Sequence, residues 1–538
     1  MRRMKTCCTI GFGNLSAPRG VSLSRKAHGI CAFLAVSNPT HPLFIGFPKT
    51  FHGNGGTLIM SITLIQKEIM LHILSARFVA LLLMCVLLIP LNFHINYHRY
   101  LQRQVDYQEA VKKENNKNPA DEPWVHRQDT DPNLEVSKLI LKPTPLSVFA
   151  TGLESIIPSY LGMTRNGIKP GDTVLSSAPI AFLFGHLDFV FVVSTVFSLL
   201  ALLFTFDAVA GEKEAGTIRI TLANALPRDI FLWSKLIGGY LVFIVPFLVS
   251  LIIGLLVLVL QGFPLAEPDI YPRVFCLILV SLLYIAVFFA LGSVISIYFD
   301  SSKTALIVAF TIWVFTVLIL PRVGFLAAQI VAPAPTAESV YREKAAKQAE
   351  LRAGLEKERN ELFSEMFQDL LPEEPTSGGF AAVVGGPEYF DKMNEKMAPL
   401  EEAARLEYRD FAAEVNQRYQ QRRKHQEEIG INLSRITPTY SFISLATDAT
   451  QTGQAKRNAY FQTGARYYET LDAEMFSKIS EASFGHSEET PSPLPPPSIV
   501  EPTLEETLQH AVLDLLLLCF FAGGLTTAAF LKFFRADI

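Results

Sequence analysis

Leu236-Ile-Gly-Gly-Tyr-Leu-Val-Phe-Ile-Val-Pro-Phe-Leu-Val-Ser-Leu-Ile-Ile-Gly-Leu-Leu-Val-Leu-Val-Leu260 is a run of 25 residues without a charge. A bilayer's hydrocarbon core is about 30 Å thick, and roughly 20 apolar helical residues cross it. The run therefore has the length of a membrane span. Working outward, five more runs share its character: Phe78–Ile95, Leu187–Phe206, Val274–Tyr298, Ala305–Val331 and Ala511–Leu531. One apolar run could be a buried helix of a large soluble protein. Six in one chain make a polytopic membrane protein.

The bulk composition agrees. Hydrophobic residues make up 50% of the 538, and mean hydropathy is +0.28. Charged residues are 18% and crowd into 341–430, as expected of spans plus a solvated domain. The net charge of −4, with no basic stripe, gives no support to nucleic-acid binding. Of the six cysteines, none lies in 97–186 or 332–508, so neither polar region can carry a disulfide framework. The spacing of a cysteine zinc site is absent. His94 and His98 could present two imidazoles on one helix face, but His is also common where a span leaves the membrane, so no metal is expected.

Lysine and arginine in short loops set orientation. Lys67 and Arg77 precede span one, Lys213, Arg219, Arg228 and Lys235 lie between spans two and three, Lys303 separates spans four and five, and Lys532 and Arg535 follow span six. All fall on one side if both termini are cytoplasmic. The expected division is then an elbow and first span over 60–96, an extracytoplasmic loop over 97–186, and spans two to five over 187–331. An extracytoplasmic helical domain follows over 332–508, and the sixth span and C-terminus over 509–538. Residues 1–59 show neither a span nor strong periodicity. The text changes character at Met60-Ser-Ile-Thr-Leu-Ile-Gln-Lys-Glu-Ile, so 1–59 is read as a non-native extension.

In the outer domain, Leu351, Leu355, Leu362, Met366 and Leu370 share one helical face. After the break at Gly378-Gly379 and Gly385-Gly386-Pro387, a second stripe runs Met393, Met397, Leu400, Ala404, Tyr408, Phe411, Val415, Tyr419. The two stripes predict an antiparallel hairpin with a seam of Met and aromatic residues. A third helix is expected over about 447–479, then a Pro-rich spacer over 490–502. Region 97–186 predicts irregular structure with short helices near Leu146–Leu161.

Ionisable residues inside apolar runs usually have partners, because an unpaired one costs several kcal/mol. Arg322 and Asp514 lie near the outer ends of spans five and six and are expected to pair, with Asp188 of span two as the competing partner.

Between spans two and three stands Asp207-Ala-Val-Ala-Gly-Glu-Lys-Glu-Ala-Gly-Thr217, then Pro227-Arg-Asp-Ile-Phe-Leu-Trp-Ser-Lys235. Gly211 and Gly216 permit tight turns. Glu212 and Glu214 offer exposed charge, Thr217 can cap the following helix, and Pro227 with Arg228 marks the next entry into the membrane. The string Gly-Glu-Lys-Glu-Ala-Gly-Thr, a helix, Pro-Arg, and a Lys eight residues after that Pro resembles the signature of ABC-2 type transporter permeases. Ser434-Arg-Ile-Thr-Pro438 and the ending Phe530-Leu-Lys-Phe-Phe-Arg535-Ala-Asp537 resemble a subgroup with a large insert between spans five and six. The resemblance covers roughly 60–538. Ala225-Leu226 stands where many members have Asn-Pro, and the Pro-rich spacer is unusually long.

The resemblance implies an all-α fold: a six-span transmembrane helical bundle with a large extracytoplasmic helical hairpin domain. It implies a non-enzymatic permease of an ATP-driven exporter in a bacterial cytoplasmic membrane. A separate cytoplasmic ABC ATPase would bind the ATP, since this chain has no Gly-x-x-x-x-Gly-Lys-Ser/Thr loop and needs no cofactor of its own. Segment 211–232, within the loop 208–235, would be the coupling element. A second permease chain and membrane lipids would be the other partners. Two alternatives remain open: a mechanical role transmitting force through the hairpin to an extracytoplasmic partner, and a membrane-anchored scaffold.

Overall fold

A computed structural model of the chain describes residues 54–116, 135–164, 167–173, 187–223, 226–370, 387–471, 473, 495–499 and 502–535. Residues 58–538 form one compact unit. Most of the expected N-terminal extension, the Gly-rich break of the hairpin and the start of the Pro-rich spacer lie outside the described residues.

Among the described residues, six helices are long and apolar enough to cross a membrane: span one Ala76–Asn115, span two Phe189–Glu214, span three Arg228–Leu260, span four Ile270–Tyr298, span five Ser302–Val331 and span six Ala511–Arg535. Helix α1 (Asn54–Ile73) precedes them, and Ser75 caps span one by accepting a hydrogen bond from the Phe78 amide. Span two and span five are not α-helical throughout. Val192–Phe197 and Val314–Ile319 are π-helical.

The spans enclose one core. Phe93, Phe197, Phe243, Phe247 and Phe288 are fully buried in it, with aromatic rings meeting edge-on, as Phe197 does with Phe247 at 5.0 Å. Close packing needs glycine at some crossings. A side chain at Gly292 of span four would strike Thr205 of span two, and one at Gly254 of span three would strike Phe93 of span one.

We call the end of the bundle that carries residues 207–235 the loop end, and the opposite end the insert end. At the insert end, span one continues as helix well past its apolar part, to Asn115. The expected irregular region following it contains a small antiparallel sheet in sequential order, β1 Ser137–Ile140, β2 Tyr160–Thr164 and β3 Gly167–Pro170, with 3₁₀ turns at Pro145–Val148 and Gly152–Ser155. These strands are too short to show a periodicity. Leu139, Leu161 and Met163 form a second small core with Tyr460, Tyr467 and Leu471.

The insert between spans five and six holds α2 (Ala337–Leu370) and α3 (Pro387–Ser434). Contacts between Glu343 and Arg418, Lys347 and Glu407, and Lys396 and Glu365 descend on one helix as they rise on the other, so the two run antiparallel. Met366, Met397 and Val415 of the expected stripes are buried and lie on the seam. These exposed ion pairs contribute little; the apolar seam holds the hairpin.

The third helix begins earlier than expected and is broken. It is α4 (Pro438–Ala449) followed by α5 (Gln454–Leu471). The break comes from Gln451 in the left-handed region (φ 56°) and from Gly453, where a side chain would strike Asp448. Helix α4 does not lie outside the bundle. Phe442, Leu445 and Ala446 join the main core, and Thr439 at its start meets the Tyr284 hydroxyl at 3.2 Å. Tyr284 is 14 residues from Tyr298, the loop end of span four, so this contact lies about 21 Å up the span. The other end of α4 reaches Arg273 near the insert end of span four, through the Ala449 carbonyl. The insert thus dips between the spans and rises again.

Candidate functional site

The loop end is built from residues 207–235 and what they touch. Ala210–Glu214 is a single helical turn, Gly216 takes φ +71°, and a helix follows over Thr217–Ala223. No atom lies within 4 Å of where a Gly216 side chain would start, so glycine is required there by the backbone and not by space. Thr217 is the first residue of that helix. Its hydroxyl hydrogen-bonds back to the Glu212 carbonyl at 3.3 Å instead of capping the turn ahead.

Of the two carboxylates expected to project as exposed charge, Glu212 turns inward and Glu214 stays exposed. Glu212 binds the Lys235 ammonium at 2.7 Å, and Lys235 also meets Glu68 of α1 at 3.4 Å. The Lys235 side chain is 8% exposed, so this is a buried triad. The other Glu212 oxygen, Oε2, has no hydrogen-bond partner among the described residues. His72 lies beside Glu68 and packs on Phe204 at 4.8 Å. Burial holds its imidazole below the ordinary value, with Glu68 pulling the other way. Glu214 is exposed, yet its carboxylate accepts the Ser302 amide at 3.0 Å and so closes the start of span five.

Further bonds extend from the same loop. Asp207 takes a two-pronged bond from Arg77 at the start of span one, at 2.8 and 2.7 Å. The amides of Val209 and Ala210 donate to the Ser296 hydroxyl of span four at 2.8 and 2.9 Å. Lys213 donates to the Ile297 carbonyl at 2.7 Å and pairs with Asp300 at 3.0 Å. Arg228 donates to the Phe534 carbonyl of span six at 3.1 Å. Phe231 stacks on Phe533 within a small core that includes Ile218, Leu232 and Ile297. The segment is therefore attached to α1 and to spans one, three, four, five and six. Its outer face shows Gly216, Thr217, Arg219, Ile220 (59% exposed) and Pro227.

At the insert end, the expected pair of Arg322 with Asp514 is not the one formed. Asp514 is buried and accepts from Arg435 Nε at 2.8 Å, Arg435 Nη2 at 3.2 Å and the Ser444 hydroxyl at 3.0 Å. Arg322 is exposed and donates to the Leu318 carbonyl one turn away. Asp188 caps span two, accepting the Phe191 and Thr151 amides at 2.8 Å each. The reason is the dip of the insert. The turn Ser434–Pro438 carries Arg435 to the side of span six and supplies a cation from a distant part of the chain. Ser434 is itself buried and donates to the Pro321 carbonyl. His94 and His98 are exposed, and His94 Nδ1 is engaged by the Gln261 amide at 2.8 Å. No group of three or more potential metal ligands occurs among the described residues.

Arg77, Asp207 and Arg435 are missed by sequence reasoning, because each pairs across more than 70 positions and no local pattern marks it.

Six spans, with a Gly-Glu-Lys-Glu-Ala-Gly-Thr turn clamped to their ends, meet the comparison with known families: residues 62–538 match the ABC-2 family transporter protein. The chain belongs to this family. It is a multi-pass membrane permease of the ABC exporter type, as the loop signature led us to expect. No curated protein matches it.

Proposed function

We propose that this ABC-2 permease is driven by a separate cytoplasmic ATPase that docks on residues 211–232. The observation that carries this reading is the set of bonds from that segment to spans three, four, five and six, made by Glu212, Lys213, Glu214 and Arg228, flanked by Asp207 on span one and Lys235 on α1. A force applied to the loop reaches all of them at once. The loop end would then be cytoplasmic, with both termini on that side of a bacterial inner membrane and the insert outside. That orientation is supported by the Lys and Arg of the short loops. Two copies of the chain, or this chain and a related one, would complete a transporter.

Within this reading the roles divide. Glu212, Glu214, Asp207 and Arg228 hold the loop to the spans. The docking face is the Gly216 turn with Arg219 and Ile220. An exposed Ile beside a guanidinium suits a groove with an apolar floor and an acidic edge. Ile220→Asp replaces an exposed side chain, so it should leave the bundle folded and abolish both assembly with the ATPase and its stimulation in reconstituted vesicles. Wild-type assembly and stimulation would make the loop a mere connector. The mechanical alternative, in which the hairpin passes force to an extracytoplasmic partner, is favoured by one observation. The hairpin base is bonded into the bundle at Ser434 and Arg435 instead of being tethered loosely.

A further inference from the structure

The π-helical segments of spans two and five meet. Trp313, the residue before the span-five segment, donates its indole N–H to the hydroxyl of Ser198, the residue after the span-two segment, at 2.9 Å. Both are buried, Trp313 at 6% exposed and Ser198 at 0%. A π turn bonds each amide to the fifth carbonyl back instead of the fourth, so it holds one residue too many for an α-helix. In soluble globular chains well under about 1% of residues are π-helical. Two such segments joined by one hydrogen bond are not explained by isolated packing faults.

The surroundings supply what a change of register needs. In a bilayer every freed carbonyl must find a donor inside the protein. The Ser194 carbonyl, inside the span-two segment, accepts from the Ser198 hydroxyl at 2.6 Å and from the Tyr284 hydroxyl of span four at 2.9 Å. Ser198 is also within 3.1 Å of the Thr195 carbonyl, the next acceptor along. In span five the Thr316 hydroxyl reaches the Ile312 carbonyl at 2.8 Å and the Trp313 carbonyl at 3.3 Å. A hydroxyl carries one proton, and it can move from one carbonyl to the next so that it serves whichever one a change of register has left without an amide. Tyr284 continues the chain outward to Thr439 of α4 and stacks on Phe442 at 4.4 Å. Span five, span two, span four and the dipping insert are thus joined by one buried line of hydrogen bonds.

We infer that Trp313 and Ser198 latch the two π segments into a single element whose register changes during the transport cycle, and that Tyr284 passes the change to α4. The inference rests on the reading that an ATPase drives the chain. Trp313 is a positioning residue. Loss of its N–H would leave each segment free to relax alone.

The test is amide hydrogen exchange on the complex with its ATPase in nanodiscs, nucleotide-free and trapped with ATP and vanadate. In the wild type, exchange at 192–198, 314–319 and 438–449 should change together on trapping. The expected change is about fivefold, the effect of one hydrogen bond on a local opening equilibrium. Trp313→Phe keeps an aromatic ring but not the N–H and should keep ATP hydrolysis, but trapping should no longer change 438–449. Ser198→Ala should act alike. If the permease stimulates hydrolysis and the segments exchange equally in both states, the latch is overturned and the ATPase reading stands. If it does not stimulate hydrolysis, the ATPase reading has failed. The permease alone then decides: Trp313→Phe must speed exchange at both π segments and not in span three, and unchanged rates there overturn the latch.

Discussion

Replacing Lys235 with Met removes the cation of a buried triad and keeps most of its volume. Glu212 and Glu68, now 2.7 and 3.4 Å from the Lys235 ammonium, would then face each other with no cation between them. Their side chains are 26% and 10% exposed, so water screens them only in part. Removing one partner of a buried pair costs about 3–5 kcal/mol, mostly as the penalty of the charge left behind. The structure places Glu212 against a second carboxylate, so the upper part of that range is expected. The cost should fall on the joint of α1 with the loop, since Lys235 bonds to both. The assay pairs the thermal midpoint in nanodiscs with ATPase stimulation. Lys235→Met should lower both. Adding Glu212→Gln and Glu68→Gln should recover most of the midpoint, because the unpaired charges are then gone. It should not recover stimulation, because the strap is still missing. A midpoint within about 1 kcal/mol of wild type for Lys235→Met, or no recovery in the triple variant, would refute the argument.

Gly216→Ala meets no neighbouring atom but must hold φ +71°, so it should cost about 1–2 kcal/mol and weaken ATPase stimulation more than assembly. Gly216→Asn, which tolerates that region, should be milder; equal effects would mean the turn is not what matters. Asp514→Asn and Arg435→Met should each be strongly destabilising and non-additive, whereas Arg322→Ala should be nearly silent in a thermal midpoint, and the reverse ranking would restore the Arg322 pairing. Glu427 joins α3 to α5 through Arg457 at 2.6 Å. Burial alone would raise its carboxyl, but the bonds and charges of Arg457 and Arg423 outweigh it and leave it below 4.5. Its contribution should therefore be complete above about pH 4.5 and be lost as pH falls through the lower folded value. Exchange at the α3–α5 contact should rise there in wild type and stay flat in Glu427→Gln.

The spans were legible because apolar length is a one-dimensional signal, and the hairpin because Met393 to Tyr419 keeps one helical face over seven turns. The segment 207–235 was legible as a string, but the direction of its side chains was not. Glu212 and Glu214 look solvated on paper, and only the fold brings Lys235 and the Ser302 amide to them. The Arg322 expectation failed for a related reason. Asp514 needed a cation, and proximity along the spans suggested the wrong one, since nothing local reveals that the turn after Ser434 descends beside span six. The sheet escaped notice because a four-residue strand such as Ser137–Ile140 gives too few alternations to stand out. The π segments escaped because no composition distinguishes Val192–Phe197 from an α-helix.

The dip of α4 between the spans gives the hairpin a fulcrum. Helix α2 has 34 residues, a length of about 51 Å. Ser434 and Arg435, at the hairpin's base, are bonded to spans five and six. A stiff rod held at one end multiplies whatever happens there. A tilt of about 5° between those spans, too small to open a path through the bundle, would sweep the far end of α2 through about 4 Å. A modest rocking of the helices would thus arrive beyond the membrane as a stroke the width of a side chain, and anything resting on the hairpin would be moved by it.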